Sequence, residues 1–199
     1  MEAITLLIVL IYSAILHEIA HGYVADKLGD PTARLLGRLT LNPQKHIDPM
    51  MSIALPLLLI FSGSPVIFGA AKPVPIDPFN LRDGRKDVAI VSLAGPLTNV
   101  LIAVLAAIIL KLLNLELSIF YSLLLVIVQI NLLLAIFNLL PIPPLDGSKI
   151  FSLLLPEREA NIYLSFGSIG FFVIFFLLIS GYGKFIFNLL NFAQNLLLP

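Results

Sequence analysis

Six apolar runs separated by short polar stretches carry most of the chain, at about 3–24, 50–71, 88–110, 117–140, 162–181 and 185–198. A helix rises about 1.5 Å per residue and the hydrocarbon core of a bilayer is about 30 Å thick, so roughly 20 residues are needed to cross. The first, third and fourth runs pass that length easily, and the fifth, YLSFGSIGFFVIFFLLIS, just reaches it. The sixth, FIFNLLNFAQNLLLP, is short and either crosses a thinner region or lies at the interface. The pattern predicts an all-α polytopic membrane protein with about five to six membrane segments. Between the first two runs, TARLLGRLTLN (32–42) alternates Leu39 and Leu41 with Arg38 and Thr40 after a glycine. That period-two signal predicts a small β-hairpin near 32–42, whose edge would accept a substrate as an added strand. An ordinary connecting loop is the alternative.

The second run reaches crossing length only by including Pro56 and the SGSP break at 62–65. Lys27, Arg34, Arg38 and Lys45 precede it, and Lys72, Arg82, Arg85 and Lys86 follow it. Positive charge favours the cytoplasmic side, so both flanks belong there and 50–71 is expected to be re-entrant. Its irregular backbone then has to be buried against protein, because lipid satisfies no free amide. With this topology ten of the twelve Lys and Arg share one face, Lys111 and Lys184 lying opposite. A plain sixth crossing is the alternative.

Composition agrees. Of 199 residues, 59% are hydrophobic and 12% charged, and the mean hydropathy is +1.02, far from a soluble domain. The expected location is therefore a membrane crossed several times, the plasma or inner membrane in a prokaryote, with the lipid bilayer as a partner. A formal net charge of zero gives no basic excess for nucleic acid. The absence of cysteine leaves His, Asp and Glu for any metal site. MEAITLLIVL carries an acid where a signal peptide has basic residues, so the first run is expected to be a retained span. No low-complexity stretch or linker divides the chain, which predicts one membrane-embedded domain over 1–199. Its catalytic core is expected at about 1–150, with further membrane segments over 160–199.

The first run contains His17-Glu18-Ile19-Ala20-His21, an HExxH pattern. On a helix, residues four apart share a face, so both imidazoles converge on one ion, while Glu18 lies about 100° round beside an open coordination position. Chance yields such a pattern in roughly one chain in a thousand of this composition. Helix-end histidines facing water would leave Glu18 unexplained, since ionisable residues inside a span are costly and mark function. A catalytic zinc takes three protein ligands and keeps the fourth position for water. Asp26, Asp30, Asp77, Asp83, Asp87, Glu157 and Glu159 stand in polar stretches. Asp146 differs, because Pro141, Pro143 and Pro144 end the fourth run just before it and Gly147 permits a close turn. The first and fourth runs end on the same side, so His21 and Asp146 can meet; the alternative role for Asp146 is a helix cap.

HEIAHG, LNPQKHIDP (41–49), AAKPVP (70–75), SLAGPLTN (92–99) and NLLPIPPLDG (138–147) together resemble the site-2 protease family of intramembrane zinc metalloproteases, over about 17–150. The resemblance implies one zinc held by His17, His21 and Asp146, with Glu18 as catalytic glutamate and Asn138 in the active centre. It implies hydrolysis of peptide bonds in or near transmembrane segments of membrane proteins. The chain departs from larger members in lacking a PDZ or CBS domain.

Other polar residues have two readings. Asn131 and Asn138 are seven apart, as are Ser92 and Asn99, so each pair shares a helix face. For Asn131, Ser92 and Asn99 the preferred role is hydrogen bonding between helices. Asn138 either donates to a substrate oxyanion or is structural. His46 either supports the zinc site from the loop, oriented by Asp48, or hydrogen-bonds its own turn. A metal or proton transporter would also use intramembrane His and Asp, and an inactive metal-bound scaffold would keep the site, but neither requires Glu18.

Overall fold

The computed structural model describes residues 2–63, 69, 71–113, 119–180 and 183–198, with backbone alone at 2, 3, 168, 171, 178 and 179. Among them every regular element is helical. Three helices are long and apolar enough to cross a membrane: α1 (Glu2–Leu28), α4 (Gly84–Leu113) and α5 (Ile119–Asn138). They correspond to the first, third and fourth apolar runs, and the chain is an integral membrane protein. Between α1 and α4 lie α2 (Thr32–Leu35) and α3 (Leu55–Phe61). After α5 come α6 (Asp146–Phe151), α7 (Glu157–Ser165), α8 (Gly167–Ile179) and α9 (Gly183–Leu197). The 13 residues of α8 and 15 of α9 make rods of about 20 and 22 Å, short of a bilayer core. Three crossing-length helices are thus described where the apolar pattern predicts five to six segments; residues 181 and 182, where the fifth run ends, lie outside the described residues.

α4 is central, packing on α1, α5 and α6. Ala103, Ala106 and Ala107 are buried on α4 against Val128 and Leu132 of α5 and Leu190 of α9. Small side chains let the backbones approach, which drives helix association where lipid is as apolar as the helices themselves.

No strand forms at 32–42. Asp30 accepts from the Thr32 amide (3.1 Å) and hydroxyl (2.5 Å), which winds 32–35 into a helical turn. Gly37 then reverses the chain at φ 62°. The local hydrogen bonds of Asp30 and the left-handed glycine override the short period-two pattern.

The segment expected to dip into the membrane begins as a π-helical turn, Pro49–Ala54, capped by the Asp48 carboxylate, and runs on as α3. These 13 residues of helix span about 20 Å, too little to cross. Its ends meet, because the Lys72 N–H donates to the His46 carbonyl at 2.8 Å. Residues 64–68 and 70 lie outside the description. A Cβ on Gly69 would sit 2.8 Å from the Met51 carbonyl and 2.9 Å from Pro56 Cγ, so the returning chain lies against the outgoing helix.

The polar end of α1 is tied by Asp30, which is fully buried. Besides Thr32 it accepts from the Asp77 amide (2.7 Å) and the Asn80 side chain (3.1 Å). Burial pushes its carboxyl up, but these donors outweigh that and hold it below its ordinary value. A carboxylate depressed on folding stabilises fully above its unfolded value, about 3.9, and loses that contribution as pH falls through the folded value. Asp30→Asn is therefore expected to cost about 2 kcal/mol at neutral pH and to flatten the acid decline of stability below pH ~4. Thermal unfolding at pH 7 and pH 3 checks this; equal acid slopes in both proteins would count against it.

Candidate metal centre

Ser13, His17 and His21 repeat every four residues and form one stripe along α1, all buried. His17 and His21 lie 11 and 7 residues from the end of α1, about 16 and 10 Å along the helix, well inside the apolar run. Across from them, α4 presents Gly95, whose missing side chain makes room: a Cβ there would lie 2.5 Å from His21 Nε2 and 2.6 Å from His17 Nε2. The Asp146 carboxylate arrives from the far end of the sequence. α5 ends at Asn138, the chain turns through the proline stretch, and α6 starts at Asp146. Gly147 abuts the Leu139 carbonyl, a contact no side chain would permit.

Three atoms converge. His17 Nε2 and His21 Nε2 are 3.0 Å apart, and Asp146 Oδ2 is 3.2 Å and 3.1 Å from them. His17, His21 and Asp146 are the described group whose donor atoms could share a metal ion. For ligand bonds near 2.0 Å, tetrahedral coordination sets donors about 3.3 Å apart, close to what is seen.

The chemistry of the donors supports that fit. His21 Nδ1 lies 2.7 Å from the Val91 carbonyl, so it must carry the hydrogen. For His17 two side-chain amides fix the hydrogen. The Asn131 side-chain NH2 donates to the Ile127 carbonyl and to Ser13 Oγ, both at 2.9 Å, which turns its oxygen towards Asn99. Asn99 donates to that oxygen at 2.9 Å and so turns its own oxygen to His17 Nδ1, at 2.6 Å. Both imidazoles thus hold their hydrogen on Nδ1 and aim the Nε2 lone pair at one point. Two lone pairs and a carboxylate oxygen repel one another unless a cation lies between them, which is what a metal supplies. Lys149 Nζ donates to the other oxygen of Asp146, Oδ1, at 3.2 Å.

Glu18 lies on the neighbouring face of α1, half-buried, and its Oε2 accepts from the Val74 amide at 2.6 Å. Asn138 donates to the Leu134 carbonyl of its own helix at 2.9 Å. His46 Nε2 donates to the Thr40 carbonyl at 2.8 Å, which is the loop-tying reading. Asp48 caps the next helical turn rather than orienting His46. Asn99 and Asn131 join α1, α4 and α5 as the expected interhelical hydrogen bonds do, but Asn99 also orients a histidine of the cluster. The signal in the sequence is an amide inside an apolar span, which is costly without a specific partner.

Membrane-crossing helices, an HExxH helix and a carboxylate brought to it from a distant turn define a zinc metalloprotease of the integral-membrane kind. A model of peptidase family M50 matches residues 5–119 and 115–181, and the chain belongs to this family, the site-2 proteases. The chain is 37% identical over 205 residues to "Putative zinc metalloprotease YwhC" of Bacillus subtilis, covering 97% of this chain and 89% of YwhC. Rip2 of Mycobacterium tuberculosis, which carries the same descriptive name, is 35% identical over 136 residues, covering 68% of this chain and 51% of Rip2. Rip2 of Mycolicibacterium smegmatis is 36% identical over 142 residues with the same coverages. No solved structure gives a significant match.

Proposed function

We propose that this zinc metalloprotease works within the membrane, hydrolysing peptide bonds in or near the transmembrane segments of other membrane proteins. The observation that carries the reading is the depth of the cluster: His17, Glu18 and His21 lie inside α1, a helix of crossing length, and not in a loop beyond it. His17, His21 and Asp146 would hold the metal. When bound, zinc supplies Lewis acidity, making water nucleophilic near neutral pH and polarising the scissile carbonyl.

The chain's own groups do the rest. Asn99 and the Val91 carbonyl hold both Nδ1 hydrogens, so the imidazoles keep their orientation throughout turnover. Glu18 accepts the proton of the attacking water and returns it to the leaving amine. Lys149 holds Oδ1 of Asp146, so Oδ2, beside the two imidazoles, would be the oxygen to hold a metal. Asn138, committed here to Leu134, is assigned no step.

α1, α4 and α5 cross the bilayer in this reading, and 49–61 with its return to Lys72 is re-entrant, supported by the His46–Lys72 hydrogen bond. The ends of α1 and α5 and the start of α4 then share the Lys- and Arg-rich cytoplasmic side, from which water reaches the site. Proteoliposomes containing the protein and a tagged single-span alanine- and glycine-rich peptide test the proposal. Cleavage within the apolar segment, stopped by o-phenanthroline and restored by zinc, is expected. Cleavage confined to the polar flanks, or indifferent to the chelator, would overturn it.

A further inference from the structure

Arg38 is buried, with 8% of its surface exposed. Among the described residues no carboxylate lies within ion-pair distance of it, and its Nε has no hydrogen-bond partner. Burying a cation without a counter-charge is costly. Its Nη2 donates to the Lys72 carbonyl at 2.9 Å and to the Pro73 carbonyl at 3.2 Å.

The second of these contacts leads to the reacting site. The Pro73 carbonyl and the Val74 N–H belong to one planar peptide unit, and in the trans form they point in opposite directions. One end accepts from the Arg38 guanidinium and the other donates to Glu18 Oε2 at 2.6 Å. A cation and an anion are therefore joined through a single peptide group, each hydrogen bond charge-assisted and each polarising the other.

The local sequence makes this amide the single donor of its triplet. Pro73 and Pro75 have no N–H, so Val74 carries the only backbone donor in the triplet. Residues 72–75 form a strap, pinned upstream by Lys72 N–H on the His46 carbonyl. It also lies directly on α1. A Cβ at Gly22, one turn beyond Glu18, would sit 2.9 Å from Val74 Cγ1 and 2.7 Å from Leu39 Cδ2.

We propose that Arg38 is a positioning residue for Glu18, acting through the Pro73–Val74 peptide unit. It fixes the strap in the register that presents the Val74 N–H to Oε2 and leaves Oε1 for proton transfer. This rests on the reading of Glu18 as the proton-transfer group.

The primary test needs no substrate. Thermal unfolding midpoints and zinc content are measured for the wild-type chain, Arg38→Met, Glu18→Ala and the double variant. Arg38→Met is expected to lower the midpoint in the wild-type background and to do so by less than half as much once Glu18 is alanine, with zinc per chain unchanged. Equal losses in both backgrounds, or loss of zinc in Arg38→Met, would overturn the proposal. Arg38→Lys, which keeps the cation but not the planar fork, serves the same cycle if Arg38→Met does not fold. With a fluorogenic peptide bearing an alanine- and glycine-rich apolar segment in micelles, Arg38→Met should lower kcat roughly 10- to 100-fold at little-changed KM. Arg38→Lys should restore part of that loss, and a change in KM alone would contradict the assigned role. A wild-type protein that cuts nothing would defeat the protease reading, while the Arg38–Glu18 stability cycle would still be decided by its own numbers.

Discussion

Glu18→Gln is expected to lower peptide cleavage by roughly 10²- to 10⁴-fold while the protein keeps its zinc. Glutamine has the shape of glutamate and retains an oxygen that accepts from the Val74 amide, so the strap over α1 should hold. It cannot take a proton from water, and that difference isolates chemistry from structure. Glu18 is also not among the three converging donors, so the metal should remain. The measurement pairs turnover of the fluorogenic apolar peptide with zinc per chain by mass spectrometry. Zinc lost along with activity would make Glu18 part of the metal-holding framework. Activity above a tenth of wild type would mean that another group moves the proton. A transporter or a holding scaffold would pass through the substitution almost unchanged, so the same variant separates the enzyme from both.

How much of this was legible beforehand depends on the distance over which each feature is determined. HExxH is local: four residues of helix place His17 and His21 on one face whatever surrounds them. The three long helices follow from length and apolarity alone. Asp146 was within reach because prolines and a glycine bracket it and mark a turn. The role of Asn99 is not legible in the sequence, because periodicity gives the face a residue occupies but not the residue it meets on another helix; its partner His17 is 82 positions away. The Val74 amide on Glu18, across 56 positions, left no trace in side-chain chemistry at all, since the donor is backbone. The hairpin near 32–42 failed for the opposite reason. Its period-two pattern is real but short, and one buried carboxylate, Asp30, was enough to wind the backbone the other way. Gly95 admits the pair of imidazoles, a role that depends on tertiary placement and not on any local pattern.

Zinc itself should depend on Asp146 even more than on either histidine. Removing any one of three protein ligands leaves a two-point site that cannot hold a catalytic metal firmly, so His17→Ala and Asp146→Ala should both fall from about one zinc per chain to below about a tenth after dialysis. The two losses are not equivalent. Asp146 is the anion of the set, and its other oxygen engages Lys149 Nζ at 3.2 Å. Alanine at 146 removes a ligand and also leaves that ammonium without its partner beside the two imidazoles, where it opposes a divalent cation. His17→Ala leaves the Asp146–Lys149 pair intact and frees only the Asn99 oxygen. Zinc titration into the stripped proteins should therefore find weaker rebinding for Asp146→Ala than for His17→Ala. Adding Lys149→Ala to Asp146→Ala should recover part of the difference. Helix content by circular dichroism confirms that each variant is folded when it is titrated. Zinc kept at wild-type level in Asp146→Ala would mean that another side chain is the third ligand, and Glu18, adjacent to His17 and half-buried, would then have to be tested as a ligand and no longer as the base.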